Sequence, residues 1–197
     1  HLQFEQYAHD SEDVIARMRE EGVAGIVVGA DHESSKEAVA LAEKHENLYA
    51  SAGVHPGHAS QGGYDISYLL RLAENRKVVA IGECGLDYYR GAENKTKDAQ
   101  KEIFKKHIAL SVATGKPMII HARSSKTNNA YQDLISILKE EKIKHPDLRG
   151  VVHFFAGTLK EAEKFFSLGF VISFTAFITF VHDYDKIILD VPFANIL

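Results

Sequence analysis

Six short, nearly continuous apolar segments alternate with segments of helical character, and this alternation constrains the fold more than any other feature. Segments of this length and apolarity predict parallel strands that are buried on both faces. Their starts recur at intervals typical of βα units. The predicted strands cover residues 25–30, 49–54, 78–82, 117–121, 150–154 and 170–174.

Residues typical of helix starts and ends fall between these strands. Ser34 and Ser35 predict one N-cap, and Thr158 followed three residues later by Glu161 is typical of a capping box. Gly169 is predicted to end the helix that begins there. The predicted helices cover residues 10–22, 34–47, 97–114 and 158–169.

Alternating strands and helices predict a parallel sheet with helices outside, either a closed (β/α)8 barrel or an open doubly wound sheet. No Gly-x-Gly-x-x-Gly motif opens a helix after the first strand, which disfavours a dinucleotide-binding sheet. A strand before His1 and another from Asn195 would complete the strand number of a barrel. We therefore expect one TIM-type barrel domain over residues 1–197, truncated at both ends and lacking the first strand and most of the eighth, with residues 61–63 as a local loop.

The composition is that of a globular protein, since 45% of the residues are hydrophobic and 25% are charged. No apolar stretch reaches the roughly 18 residues of a membrane span, so we expect no membrane partner, and no obligate protein partner is inferred. The net charge of −4 excludes a general basic field for binding nucleic acid. Cys84 is the only cysteine, which excludes an intramolecular disulfide and favours a reducing, cytoplasmic location.

Residues that commonly bind metal ions recur at one end of the predicted strands, the end that carries the active site in a TIM-type barrel. One such histidine alone is more often a hydrogen-bonded core residue, but several at one edge predict a divalent metal site. Arg123 lies two residues after His121, on the same strand face, and its guanidinium suits a phosphate or a carboxylate. The candidate ligands are His1, His55, Glu83, His121 and His153.

The remaining histidines and a group of phenylalanines are predicted to be structural. We expect these histidines at the surface because they lie in predicted loops and helices: His9, His32, His45, His58, His107, His145 and His182. The phenylalanines are predicted to pack in the core and in a loop over the barrel mouth: Phe165, Phe166, Phe170, Phe174, Phe177 and Phe180. The alternative for Phe177 or Phe180 is stacking on a nucleobase.

Four segments together resemble a known family. In order and spacing they are similar to the TatD-type metal-dependent deoxyribonucleases, and the resemblance covers nearly the whole chain. The resemblance implies a (β/α)8 barrel of the amidohydrolase type that hydrolyses phosphodiester bonds in DNA with divalent metal, often from a 3′ end. The most specific segment is GECGLDY at residues 82–88; the others are GVHP at 53–56, IIHAR at 119–123 and VHFFAG at 152–157.

The resemblance also implies a set of metal ligands. Glu83 would bridge two divalent ions, which would be Mg, Mn or Zn, and His121 and His153 would complete one of the two metal sites. His1 resembles the second histidine of the family's N-terminal His-x-His. The family's aspartate after the eighth strand has no counterpart here, since Asp190 precedes that strand. We expect one metal site to be nearly whole and the other depleted in these residues.

His55 and Arg123 would contact the scissile phosphate, and Asp87 and Tyr88 would shape the pocket. The catalytic residues implied are thus Glu83, His55 and Arg123, and the substrate-binding residues are His55, Asp87 and Arg123. The expected reaction is attack of a metal-activated water on a phosphodiester of DNA, as a 3′-end exonuclease.

Two alternatives remain open from the sequence. The first is a metal-dependent hydrolase of a small ester, amide or lactone. It is disfavoured because no strand ends in a lysine that could bridge metals once carboxylated; Lys116 lies at the start of its strand. The second is a non-catalytic barrel that has lost its metals.

Overall fold

The computed structural model describes residues 1–61, 64–89 and 94–197. Within these residues, six parallel strands form one sheet in chain order, and all six predicted strands are confirmed with shifted ends. Gly62 and Gly63 of the predicted loop lie outside the described residues. The strands are β1 (Gly25–Val28), β2 (Leu48–Ala52), β3 (Val78–Asp87), β4 (Met118–Arg123), β5 (Gly150–His153) and β6 (Phe170–Ile172).

Helices connect the strands and pack outside the sheet. They are α1 (Ser11–Glu20), α2 (His32–Lys44), α3 (Ile66–Ala73), α4 (Asn94–Thr114), α5 (Ala130–Lys144), α6 (Leu159–Ser167) and α7 (Asp185–Asp190). Short 3-10 turns cover Glu5–Tyr7, Pro56–Gln61, Ala176–Thr179, His182–Tyr184 and Phe193–Asn195. In the part of the chain that the structure describes, no helix combines the length and apolarity needed to cross a bilayer.

One predicted helix cap is confirmed and another is wrong. Thr158 and Glu161 form the reciprocal capping box of α6. The start of α2 is capped by Asp31 rather than by Ser34 or Ser35. The Asp31 carboxylate accepts a hydrogen bond from the Ser34 backbone N–H at 2.8 Å, and the Ser34 hydroxyl accepts from the Asp31 N–H at 3.0 Å.

The sheet is the wall of a TIM-type barrel, the one of the two predicted architectures that the strand number favoured. Each strand pairs in parallel with the next one in the chain, the pattern produced by right-handed βα repeats. Ala80, Ile119 and Val151, one from each of three neighbouring strands, form a small buried cluster together. Ile196 makes a parallel bridge to Ile172, so the chain enters the next sheet position where the sequence predicts the next strand. The strand before His1 stays a prediction.

β3 is longer than predicted, and this changes the setting of the GECGLDY motif within it. The prediction ended this strand at residue 82, but the strand continues to Asp87. Its register with β4 shifts between Ile81 and Cys84, next to a cis peptide between Gly82 and Glu83. Glu83 therefore lies inside a strand, not in a loop after it.

The predicted packing of the phenylalanines is confirmed in part. Phe165 and Phe170 are fully buried in the larger core cluster, and Phe166 and Phe174 pack against it. Phe180 is 66% exposed and so lies outside the core, but its ring packs against Phe177 with ring centres 5.2 Å apart.

His107 corrects a prediction, because it is fully buried in α4 rather than at the surface. Its Nδ1 donates to the carbonyl of Ile103 at 2.8 Å. The unprotonated Nε2 accepts from the backbone N–H of Val54 at 3.0 Å. Burial lowers the pKa of His107 to about 4, so the ring is neutral and fixes the residue that precedes His55. Of the other predicted surface histidines, His9 and His182 are exposed and the remaining four are half-buried.

The buried neutral His107 predicts an acid-dependent loss of stability. The pKa of His107 in the folded protein lies below the ordinary value of 6.5. The contribution of its neutral ring to the free energy of unfolding is therefore present above pH 6.5 and is lost as the pH falls toward 4. The contribution is on the order of 3 kcal/mol. His107→Gln keeps a donor for Ile103 and an acceptor for Val54 but does not titrate, so its free energy of unfolding should fall less than that of wild type. Urea unfolding at pH 7.5 and at pH 4.5 measures both losses; equal losses would contradict a neutral buried ring.

Candidate metal centre

The predicted site residues surround one cavity at the carboxyl ends of the strands. The cavity has a volume of about 540 Å³ and is partly open to solvent. Every residue predicted to bind metal or substrate lines it, which places groups from distant parts of the sequence in one space. These are His1, His55, Glu83, Asp87, His121, Arg123 and His153.

Glu83, Asp87 and His121 form the centre of this arrangement. Glu83 and Asp87 lie four residues apart on β3, and β4 places His121 opposite Gly85, midway between them. His121 Nδ1 lies 3.0 Å from Glu83 Oε1, and His121 Nε2 lies 3.2 Å from Asp87 Oδ2. The predicted contact of Asp87 with substrate stays a prediction, while its Oδ2 lies against the imidazole of His121. Asp87 therefore orients a candidate metal ligand.

The charges of this group are mutually stabilising. Burial opposes the charged form of His121, but hydrogen bonds to Asp87 and Glu83 outweigh it and raise the pKa of His121 to about 9. Burial would by itself raise the pKa of Glu83, but the hydrogen bond to His121 and the nearby imidazoles hold that pKa below its ordinary value. Glu83 is thus an ionised carboxylate that is only 6% exposed, the kind of group that attracts a cation.

His55 follows β2 and faces the same carboxylate. Its Nε2 lies 3.9 Å from Glu83 Oε1, and its ring centre lies 4.4 Å from that of His121. Its Nδ1 accepts from the backbone N–H of Gly57 at 3.0 Å. Burial, aided by the charge of His121, lowers the pKa of His55 to about 4. The neutral ring therefore carries its proton on Nε2 and presents an N–H donor toward the cavity.

His153 and His1 lie far apart in the sequence, but both line the cavity. His153 ends β5 and lies directly beside His121 in the sheet register, and burial lowers its pKa. His1 Nδ1 donates to the carbonyl of Val28 at 3.2 Å, which leaves the lone pair on Nε2, as a metal-binding imidazole requires. Their roles as ligands stay predictions.

Arg123 closes β4, which confirms that the strand reaches it and that it shares a face with His121. Its guanidinium carbon lies 4.0 Å from the centre of the exposed Tyr89 ring, a cation–π contact that orients the side chain. Arg123 lines the cavity, so its donors lie beside the carboxylate and imidazole groups.

The donor set fits a divalent ion once His121, which is cationic between the two carboxylates, gives up the proton on the nitrogen that faces Glu83. One ligand atom from each of His55, Glu83 and His121 lies within 4.8 Å of the other two. One carboxylate with imidazoles is the ligand chemistry of Zn, Mn and similar ions. His55 could bind an ion through Nε2 only if its proton moved to Nδ1. That would break the hydrogen bond that Nδ1 accepts from the Gly57 N–H.

Two cavity residues escaped the sequence analysis. Phe154 was predicted as the last residue of a strand, but its backbone has a φ of 48° and its side chain is 42% exposed at the cavity. Tyr184 comes from a short 3-10 turn far along the chain and has no sequence signal. Phe177, weighed above for base stacking, also lines the cavity, whereas Tyr88 is buried and its hydroxyl donates to Asp133 at 2.6 Å.

Comparison with known proteins identifies the family. The sequence model of a family described as TatD related DNase matches residues 1–197. The chain belongs to this family. The resemblance of its four motifs is thereby confirmed.

Two relatives illustrate the range of names in the TatD family. The first is the uncharacterized metal-dependent hydrolase YabD of Bacillus subtilis (strain 168), 38% identical over 91% of this chain and 68% of the relative. The second is the 3′-5′ ssDNA/RNA exonuclease TatD of Pantoea ananatis (strain LMG 20103), 36% identical over 88% of this chain and 64% of the relative. The chain spans about half to two thirds of the length of the curated relatives it matches.

Two solved structures share the fold. The TatD homologue YjjV from Escherichia coli K12 superposes with a TM-score of 0.85 at 30% identity. The match covers all of this chain and 74% of the YjjV chain. A TatD-family hydrolase from Entamoeba histolytica has a TM-score of 0.80 at 26% identity, covering 99% of this chain and 69% of its own. These likenesses support the TIM-type barrel.

Proposed function

We propose that the protein hydrolyses phosphodiester bonds at the 3′ end of DNA. The observation that carries the proposal is the single cavity that joins the ionised Glu83 and its imidazoles to the guanidinium of Arg123. A cation-attracting group beside a phosphate-binding group is what phosphodiester hydrolysis requires. The name of the Pantoea relative, a 3′-5′ ssDNA/RNA exonuclease, supports the same substrate class.

We assign the metal ligands to Glu83, His121, His153 and His1, which would hold two divalent ions of Mg, Mn or Zn. When bound, such ions would supply Lewis acidity and an activated water. Asp87 holds the imidazole of His121 in place through its contact at 3.2 Å.

Arg123 and His55 bind the substrate phosphate. The guanidinium of Arg123 offers parallel N–H donors to two oxygens of one phosphate. His55 offers the N–H of Nε2, because the Gly57 backbone occupies its other nitrogen. Both groups would stabilise the negative charge that grows on the phosphate oxygens during attack.

A cleavage assay tests this function. The purified protein is incubated with 5′-labelled single-stranded DNA in Mg, Mn or Zn, and separately in a chelator. We expect stepwise shortening from the 3′ end that requires metal and stops at phosphorothioate linkages placed at that end. Shortening that persists in the chelator, or none with any of the three metals, would contradict the proposal.

The same preparation tests the alternative that the protein hydrolyses small esters or lactones. Lys116 precedes β4 and its ammonium donates to the carbonyl of Val78, so it lies at the opposite end of the strand from the cavity and cannot bridge metals there. We therefore expect no turnover of p-nitrophenyl acetate or a simple lactone that compares with the turnover of DNA. Faster ester hydrolysis would favour the alternative.

A further inference from the structure

Three phenylalanine rings form a continuous surface beside the cavity. We call Phe154, Phe177 and Phe180 the aromatic shelf. The ring centres of Phe154 and Phe177 lie 5.7 Å apart, and those of Phe177 and Phe180 lie 5.2 Å apart. Phe154 is 42% exposed and Phe180 is 66% exposed. Large rings that share one exposed surface next to a polar site are typical of a binding surface.

The backbone at Phe154 directs this ring to the site. Its φ of 48° lies in the left-handed region, which is unusual for a bulky side chain. In a continuing strand, Phe154 would point to the face opposite His153. The strand instead ends at His153, and both side chains line the same cavity. Backbone strain held next to a site indicates that the displaced side chain has a role there.

The net charge of the molecule favours a source of affinity for nucleic acid other than phosphate contacts. The net charge is −4, and among the described residues that line the cavity Arg123 is the only arginine or lysine. Phosphate contacts are therefore few. Stacking of a base on an aromatic ring supplies affinity that does not depend on phosphate charge and is available for every base.

We propose that the aromatic shelf stacks on the base of a nucleotide next to the scissile phosphate. The proposal rests on the proposed function. A base in a duplex has both faces covered by its neighbours, whereas a base at a single-stranded end offers a free face. Phe177, the middle ring, contacts both other rings and is the residue to test.

The experiment compares three strands in the 3′-shortening assay. One is intact, and the other two carry a tetrahydrofuran abasic nucleotide on either side of the terminal linkage, which keeps the phosphates and removes one base. We expect kcat/KM of wild type to fall about 5- to 100-fold for at least one abasic strand. Phe177→Ala should lower kcat/KM for the intact strand by a similar factor and lose the discrimination between strands. Phe177→Tyr should restore both.

Phe193→Ala is the matched control, because Phe193 is 90% exposed and is not among the cavity-lining residues. It should behave as wild type with all three strands. If wild type shortens intact and abasic strands equally, or if Phe177→Ala keeps the full discrimination, the shelf proposal is overturned while the proposed function stands. If wild type shortens none of the strands, both proposals fail.

Discussion

Glu83→Gln is expected to abolish metal-dependent hydrolysis, with a loss of kcat of roughly 10³-fold, while the barrel stays folded. Glu83 supplies the one carboxylate of the three-residue ligand group, is 6% exposed, and faces His55 and His121. Glutamine has the same shape but no charge, and its NH2 group opposes both a cation and the N–H donors of the imidazoles. The measurements are cleavage rates at saturating metal and metal content after dialysis.

Glu161→Gln is the matched control for this substitution. Glu161 is a carboxylate of equal burial at 7% exposure, but it belongs to the capping box of α6 and does not line the cavity. Its replacement should lower stability modestly, by about 1 kcal/mol, and leave metal content unchanged. Wild-type activity in Glu83→Gln, or equal loss of metal in both variants, would refute the assignment of Glu83.

The strands were predictable because each is a short run of apolar residues, and only a parallel sheet buries such runs on both faces. The extension of β3 to Asp87 was not predictable, because glycines within a strand pattern also indicate bulges or bends. Gly82 and Gly85 stay in the strand because the backbone of β4 approaches them closely. The cap at Asp31 was missed because the adjacent Ser34 and Ser35 have the same capping chemistry, and only the backbone angles decide between them.

The candidate site was predictable where a metal-binding side chain lies at the carboxyl end of a predicted strand, as for His55, His121 and His153. Phe154 was not predictable, because its inward position depends on a left-handed backbone that breaks strand alternation. His107 was predictable in principle. It lies four residues after the buried Ile103 and next to the buried Ile108, so helical spacing places it on the buried face of α4.

Gly85→Ala is expected to destabilise the barrel by about 3 kcal/mol or more. Gly85 has a φ of 136°, and a Cβ there would come 2.0 Å from the carbonyl oxygen of His121. The two strands would have to separate at the point where Gly85 and His121 are register partners. Because His121 would move, metal affinity should fall together with the free energy of unfolding. Urea unfolding and metal titration measure the two effects.

Gly115→Ala distinguishes the close contact from the cost of the backbone angle alone. Gly115 also has a positive φ, of 66°, but a Cβ there meets no atom within 4 Å. Alanine at this position should therefore cost only about 1 kcal/mol and leave metal binding unchanged. If the two alanine variants lost the same stability, the approach of β3 to β4 at Gly85 would not be the reason that glycine occupies this position in the motif. A larger loss at Gly85, accompanied by weaker metal binding, would show that this glycine supports the site by allowing His121 to lie between Glu83 and Asp87.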